Sequence, residues 1–207
     1  MSNVIEILKT VGAIITNSHI VYTSGHHGSI YINKDALYPH TKETSEVGRQ
    51  FAEKYKDAHI DVVVGPAYGG IILSQWTAYH LSQLSGKEVL GVYTQKTDSG
   101  GQAFSRGYDA LVKGKNVLIV EDITNTGESA KKVVSAVQNV GATIVAVAVM
   151  VNRNPTQVNS VFYGAPFMAL ADFPAESFSA EACPLCKQNI PINTTVGHGK
   201  KFIEHIR

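Results

Sequence analysis

Cysteine is scarce: the chain has only two, Cys183 and Cys186. Two thiols close together near one end cannot build the disulfide framework of a small secreted fold. Excess charge of one sign is also lacking, since 18 Lys and Arg stand against 17 Asp and Glu for a formal charge of +1. That balance removes the electrostatic case for a nucleic acid or an anionic membrane as partner. No apolar run approaches the length needed to cross a bilayer. The first fifteen residues carry Glu6 and Lys9 within an amphipathic pattern, unlike a signal peptide. Internal repeats, low-complexity segments and an interdomain linker are absent too. What remains is a hydrophobic content of 44% over 207 residues, enough for a substantial core. The expectation is one globular domain over residues 1–207, in the cytoplasm.

The chain is organised around residues 116–130, Asn-Val-Leu-Ile-Val-Glu-Asp-Ile-Thr-Asn-Thr-Gly-Glu-Ser-Ala. Val117, Leu118, Ile119 and Val120 show no alternation, as expected for a strand buried on both faces of a parallel sheet. Glu121 and Asp122 follow where that strand should end. The turn Thr124, Asn125, Thr126, Gly127, Glu128 and Ser129 then leads into a helix with Ala130, Val133, Val134, Val137 and Val140 at helical spacing. Free N–H groups and the positive dipole end at that helix start favour a phosphate. The two carboxylates can accept hydrogen bonds from vicinal hydroxyls or support a magnesium ion. The plainer alternative is a solvated strand end followed by a capped helix.

Elsewhere the pattern supplies a frame. Asn3 with Glu6 suggests a capped first helix with Val4, Ile5, Leu8, Val11 and Ile15 on one face. Residues 20–35 read as a hairpin-like element outside the main sheet. Residues 41–55 read as a helix, and Val62, Val63 and Val64 as a buried strand. A helix over 71–84, a strand over 89–93 and a β-branched strand over 143–151 continue the series. Two short apolar runs, 158–163 and 167–173, precede a polar tail. Alternating strands and helices across 61–151 imply βαβ units: an α/β fold with a doubly wound, mostly parallel sheet. The division expected is a small hood over about residues 1–40, a core over about 41–175 and a tail over about 176–207.

Ligands in such sheets bind beyond the carboxyl ends of the strands, and three features fall there. One is the acidic turn at 121–129. Another is the glycine-rich turn 65–70, in which Ala67, Tyr68, Gly69 and Gly70 could present N–H groups to a diphosphate. The third is Arg153, a guanidinium at a strand end that can hold a planar carboxylate. Residues 95–108 have no convincing periodicity and carry Lys96 and Arg106 on either side of Ser99-Gly100-Gly101. A loop of that length suits a mobile lid whose cations neutralise a departing anion.

The acidic stretch resembles the PRPP-binding motif of type I phosphoribosyltransferases, and the chain is most similar to the orotate branch of that family. Gly65-Pro66-Ala67 is similar to that branch's diphosphate loop, and Arg106-Gly107-Tyr108 to a short form of its lid. Ser24-Gly25, Ser29, Tyr31 and Lys34 are similar to the hood that contacts the base, and 35–39 continues the likeness. The resemblance runs from about residue 4 to 173. It implies transfer of a phosphoribosyl group from PRPP to orotate, with Mg²⁺, in a homodimer whose lid completes the partner's site. Glu121, Asp122, Ile123, Thr124, Asn125, Thr126, Gly127, Glu128 and Ser129 would then bind ribose and 5'-phosphate. Glu121 and Asp122 would also support the metal, and Ala67, Tyr68, Gly69 and Gly70 would bind diphosphate. Lys96, Arg106 and Asp122 would act in catalysis, and Tyr31, Lys34, Asn125 and Arg153 would face the base. Three positions depart from the family pattern: Thr23 and Gly70 stand where lysines are frequent, and Asn125 where a threonine is. They leave open another base (uracil, hypoxanthine or adenine) or a non-catalytic PRPP-sensing regulator.

Cys183-Pro184-Leu185-Cys186 is half of a zinc motif, and only His198 and His205 lie downstream to complete it. Without a second compact ligand pair, the two cysteines read as reduced structural thiols, ahead of zinc ligands or a redox pair.

Overall fold

The computed structural model describes residues 3–206, with the side chains of residues 205 and 206 outside that description. Helix α1 (Val4–Thr10) starts where Asn3 accepts a hydrogen bond from the Glu6 N–H at 3.0 Å. It stops before the stripe reaches Val11 and Ile15, because Gly12 turns the chain through φ +67°. Ile14–Ile15 instead forms strand β1, paired antiparallel with β4 (Tyr31–Ile32), and β2 (Ile20–Val21) pairs antiparallel with β3 (His27–Gly28). The hood element is therefore two short ladders.

The main sheet comprises β5 (Val62–Pro66), β6 (Leu90–Lys96), β7 (Gln102–Ala103), β8 (Asn116–Thr124), β9 (Thr143–Asn152) and β10 (Phe167–Asp172). Its order is β10-β9-β8-β5-β6-β7, parallel throughout except for β7, which is antiparallel to β6. The helices of this region are α2 (Thr41–Tyr55), α3 (Gly69–Ser85), α4 (Tyr108–Val112), α5 (Glu128–Asn139) and α6 (Ser160–Tyr163). Alternation along each strand splits the core in two. Val63, Leu118, Val120 and Met150 pack with Phe51 of α2 and Leu73 of α3. Val62, Val64, Ile119 and Val147 pack with Val112 of α4 and Val133 and Val137 of α5. The sheet is thus doubly wound, as its sequence implies.

Three expectations change. Strand β8 does not end before the acids: its pairing with β9 continues to Thr124 opposite Asn152, so Glu121 and Asp122 lie within the strand. Residues 95–108 are not structureless, since Gln95 pairs with Ala103 and Lys96 with Gln102 in a hairpin. The apolar run before β10 is partly a helical turn, α6, capped where Asn159 Oδ1 accepts from the Val161 and Phe162 N–H groups.

The tail, with α7 (Pro184–Lys187) and α8 (Gly199–Ile206), returns to the hood. Phe178 bridges to His27 and Ile192 to His19, and the His198 N–H donates to Val21 O at 2.8 Å.

Candidate active site

The strand order places the switch point between β5 and β8: β6 leaves β5 on one side, while β8, β9 and β10 build outward on the other. Open α/β sheets bind ligands at that crevice. Two cavities lie there. One, of about 610 Å³, is lined by Tyr31, Asp122, Ile123, Asn125, Thr126 and Arg153, with hood and tail residues closing it. The other, of about 500 Å³, is lined by Tyr38, Ala67, Tyr68, Gly69, Ile72 and Lys96. Lys34 and Asp35 line both, so the two are halves of one cleft.

Asp122 sits at the junction. Its Oδ2 accepts from Lys34 Nζ at 2.7 Å and from the Tyr38 hydroxyl at 2.8 Å, and its Oδ1 from the Ile123 N–H at 2.6 Å. Burial works against the Lys34 ammonium, but the Asp122 carboxylate outweighs it and holds the group above its ordinary value. Burial, and then Asp122, also raises the Tyr38 hydroxyl, so it remains a neutral donor. A cation and a hydroxyl thus converge on one carboxylate oxygen at the mouth of the cleft.

Glu121 is placed differently. Adjacent strand residues point to opposite faces, and Glu121 is buried, accepting from the Asp122 N–H at 3.0 Å and from the Ser129 hydroxyl. Burial first, and Asp122 second, raise its carboxyl above the usual range. It borders neither cavity, so the acidic pair is divided between the cleft and the root of α5.

Both helices that begin at the cleft lack a side-chain cap. Gly127, at φ +79°, is the N-cap of α5, and Tyr68 is the N-cap of α3. The capped-helix alternative for the acidic turn therefore does not hold. Uncapped first-turn N–H groups, aided by the helix dipole, are anion sites. Gly127 is also needed for space, because a Cβ there would strike the Phe162 ring. Gly69 meets a comparable limit without positive φ: a Cβ would fall on Asp122 Oδ2 and the Tyr38 hydroxyl. The Ala67–Tyr68 peptide between these features is cis.

At the other wall Arg153 follows β9. Its Cζ lies 4.8 Å from the Tyr22 ring centroid, and its Nη2 donates to the Tyr22 hydroxyl at 3.2 Å. Tyr22 in turn donates to Ile30 O at 2.7 Å, which anchors the stack to the hood. Arg153 Nε is buried with no hydrogen-bond partner in the described structure.

The structure thus brings Tyr31, Lys34, Ala67, Tyr68, Gly69, Lys96, Asp122, Ile123, Asn125, Thr126 and Arg153 to the cleft. Gly70, Arg106, Thr124, Gly127, Glu128 and Ser129 border neither cavity. Tyr22 and Gly197 line the cleft without having been singled out from sequence, while Asp35 and Tyr38 entered only within the resembling stretch 35–39 and His198 only as a possible zinc ligand. Tyr38 lies near enough to Lys34 to have been suggested by a donor at short spacing. Tyr22 and His198 carry no local signal.

The comparisons agree with this geometry. The phosphoribosyl transferase domain model matches residues 33–164, which hold Lys34, the acidic strand and Arg153. The orotate phosphoribosyltransferase of Thermoanaerobacter sp. (strain X514) is 33% identical over 189 residues, spanning 91% of this chain and 93% of that protein. That of Thermotoga maritima is 33% identical over 197 residues, spanning 95% and 98%. The crystal structure of Mycobacterium tuberculosis H37Rv orotate phosphoribosyltransferase has the same fold, with a TM-score of 0.66 at 24% identity over 83% of this chain and 97% of that one. The chain belongs to the phosphoribosyl transferase family, beside its orotate phosphoribosyltransferase members.

Proposed function

We propose that this protein transfers the 5-phosphoribosyl group of PRPP to orotate, giving orotidine 5'-monophosphate and diphosphate in de novo pyrimidine synthesis. The observation that carries this reading is the single cleft, with an uncapped helix start at each phosphate end, Asp122 between them and Arg153 on the far wall. The orotate ring nitrogen attacks the anomeric carbon as the bond to the diphosphate oxygen breaks, and the charge that develops is oxocarbenium-like. Asp122 holds the ribose hydroxyls, and the sequence-based role of Glu121 as a second hydroxyl ligand is dropped because it is buried at the root of α5 and borders neither cavity. Residues 124–129 bind the 5'-phosphate and 67–70 the diphosphate, over which Lys96 closes. Arg153 faces the orotate carboxylate, with Asn125, Tyr31 and Lys34 around the ring. Rate acceleration comes from positioning and from charges arranged in advance.

Magnesium fits this donor set through the substrate. Both Asp122 oxygens already have partners and Glu121 is turned away. Magnesium keeps waters and substrate phosphates as ligands, so Asp122 would hold it chiefly through water; when bound, it offsets charge on the diphosphate. A homodimer belongs to the same proposal: Arg106 borders neither half of its own chain's cleft, which suits a lid that reaches the partner's site. So does the division into hood, core and tail within one domain. No helix among the described residues is long and apolar enough to cross a membrane, and we place the reaction in the cytoplasm.

The test is diphosphate release from PRPP and Mg²⁺ with orotate, uracil, hypoxanthine or adenine in parallel. Orotate is expected to lead by roughly 10⁴-fold in kcat/KM, since a half-buried guanidinium with an unpartnered Nε rejects bases that leave it unpaired. Turnover with another base would move the substrate, and PRPP binding without release would make the protein a regulator.

A further inference from the structure

Away from the cleft, four side chains from opposite ends of the chain converge. His19 lies just before β2, His27 is in β3, Cys183 is the N-cap of α7 and Cys186 lies within that helix. One ligand atom from each lies within 4.8 Å of all the others. His19 Nε2 is 2.8 Å from His27 Nδ1, 3.7 Å from Cys183 Sγ and 3.6 Å from Cys186 Sγ. Cys186 Sγ is 3.3 Å from His27 Nδ1. A tetrahedral zinc ion with Zn–N of about 2.0 Å and Zn–S of about 2.3 Å has nitrogen–sulfur edges of about 3.6 Å. The three nitrogen–sulfur separations fall around that value. The histidines of the cluster are not the two downstream of the cysteines. His198 instead hydrogen-bonds the Thr23 hydroxyl at 3.0 Å, and the His205 side chain is outside the described residues.

We propose that His19, His27, Cys183 and Cys186 form a structural zinc site that clamps the C-terminal tail onto the hood. The site is closed, as structural sites are: His19, His27 and Cys183 are buried and Cys186 is half-buried. Its outer shell is in place at His19, whose Nδ1 lies 2.7 Å from Ile190 O, whereas the buried His27 Nε2 has no hydrogen-bond partner among the described residues. An N–H donated by His19 to that carbonyl leaves its Nε2 lone pair facing the cluster. The Cys-x-x-Cys turn supports this, with Lys187 N–H donating to Cys183 O at 3.2 Å and Ile190 N–H to Leu185 O at 3.0 Å. Zn²⁺ binding releases the two thiol protons to solvent, and the thiolates neutralise the ion without any change of oxidation state. The clamp joins segments more than 150 residues apart, and the tail it fixes carries Gly197 and His198 to the cleft wall. The metal assignment stands apart from the assignment of the base.

The full-length protein, grown with zinc and purified without chelator or a metal-affinity step, should contain one zinc per chain by elemental analysis. The double variant Cys183→Ser/Cys186→Ser should lose it. Because that variant can fail to fold, wild type is also stripped and reloaded with Co²⁺. Intense visible d–d bands with a sulfur-to-cobalt charge-transfer band are expected, together with a rise in Tm and slower proteolysis of the tail. His19→Cys should retain stoichiometric zinc. A zinc-free wild-type protein whose cobalt spectrum is weak and octahedral would overturn the proposal, as would stoichiometric zinc in the double variant or a Cys183–Cys186 disulfide in freshly purified protein.

Discussion

Asp122→Asn is expected to lower kcat/KM by about 10²–10³-fold, the usual cost of removing one preorganised charge from a reacting centre, while the melting temperature stays near that of wild type. The two halves of the prediction have separate causes. The asparagine carbonyl has the size and position to accept from Lys34 Nζ and the Tyr38 hydroxyl, which now lie 2.7 and 2.8 Å from the carboxylate. The amide nitrogen replaces Oδ1 and loses the bond from the Ile123 N–H, a local cost of about 1 kcal/mol on a side chain of unchanged shape, so the packing around β8 is preserved. The negative charge is lost, and with it the compensation of the cationic sugar and the counter-charge that fixes Lys34 at the junction of the two cavities. Steady-state kinetics beside a thermal melt check both halves. Near-normal rates would mean that the sugar does not sit at Asp122.

Gly69→Ala should damage the same site from the opposite side. The residue is helical and needs no left-handed backbone, so propensity alone favours alanine by up to about 1 kcal/mol. The added methyl would occupy the position of Asp122 Oδ2 and the Tyr38 hydroxyl, so the carboxylate must leave its place. We expect kcat/KM to fall by about 10²-fold, in line with misplacing a reacting group by about 1 Å, with unchanged circular dichroism. Full activity in Gly69→Ala would show that the carboxylate can move without consequence, against the geometry on which the site rests.

How far the sequence could be read depends on the range of each interaction. Val117 to Val120, the polar turn and the valine-spaced helix are local patterns, and they placed β8, α5 and the parallel sheet. Helix α2 was legible in the same way, from Val47, Phe51 and Tyr55. The end of α1 was misread because its apolar stripe continues past Gly12 into a strand of the hood. The β6–β7 hairpin was hidden because its second strand is two residues long and shows no period. Pairings between distant segments left no trace: Tyr38 with Asp122, Tyr22 with Arg153, and His19 with the two cysteines. These depend on how the hood and tail fold over the sheet, which hydrophobic periodicity does not encode. The tail was read as merely polar because backbone bridges such as His27 with Phe178, rather than an apolar stripe, attach it.

A crystal structure of the protein with orotidine 5'-monophosphate tests most directly whether the two cavities form one transfer site, read from 5'-phosphate to base. The phosphate should lie on the N–H groups of residues 126–129, the ribose hydroxyls at Asp122, and the base carboxylate against Arg153. A phosphate at Gly69 and Gly70, or a base carboxylate away from Arg153, would contradict that arrangement.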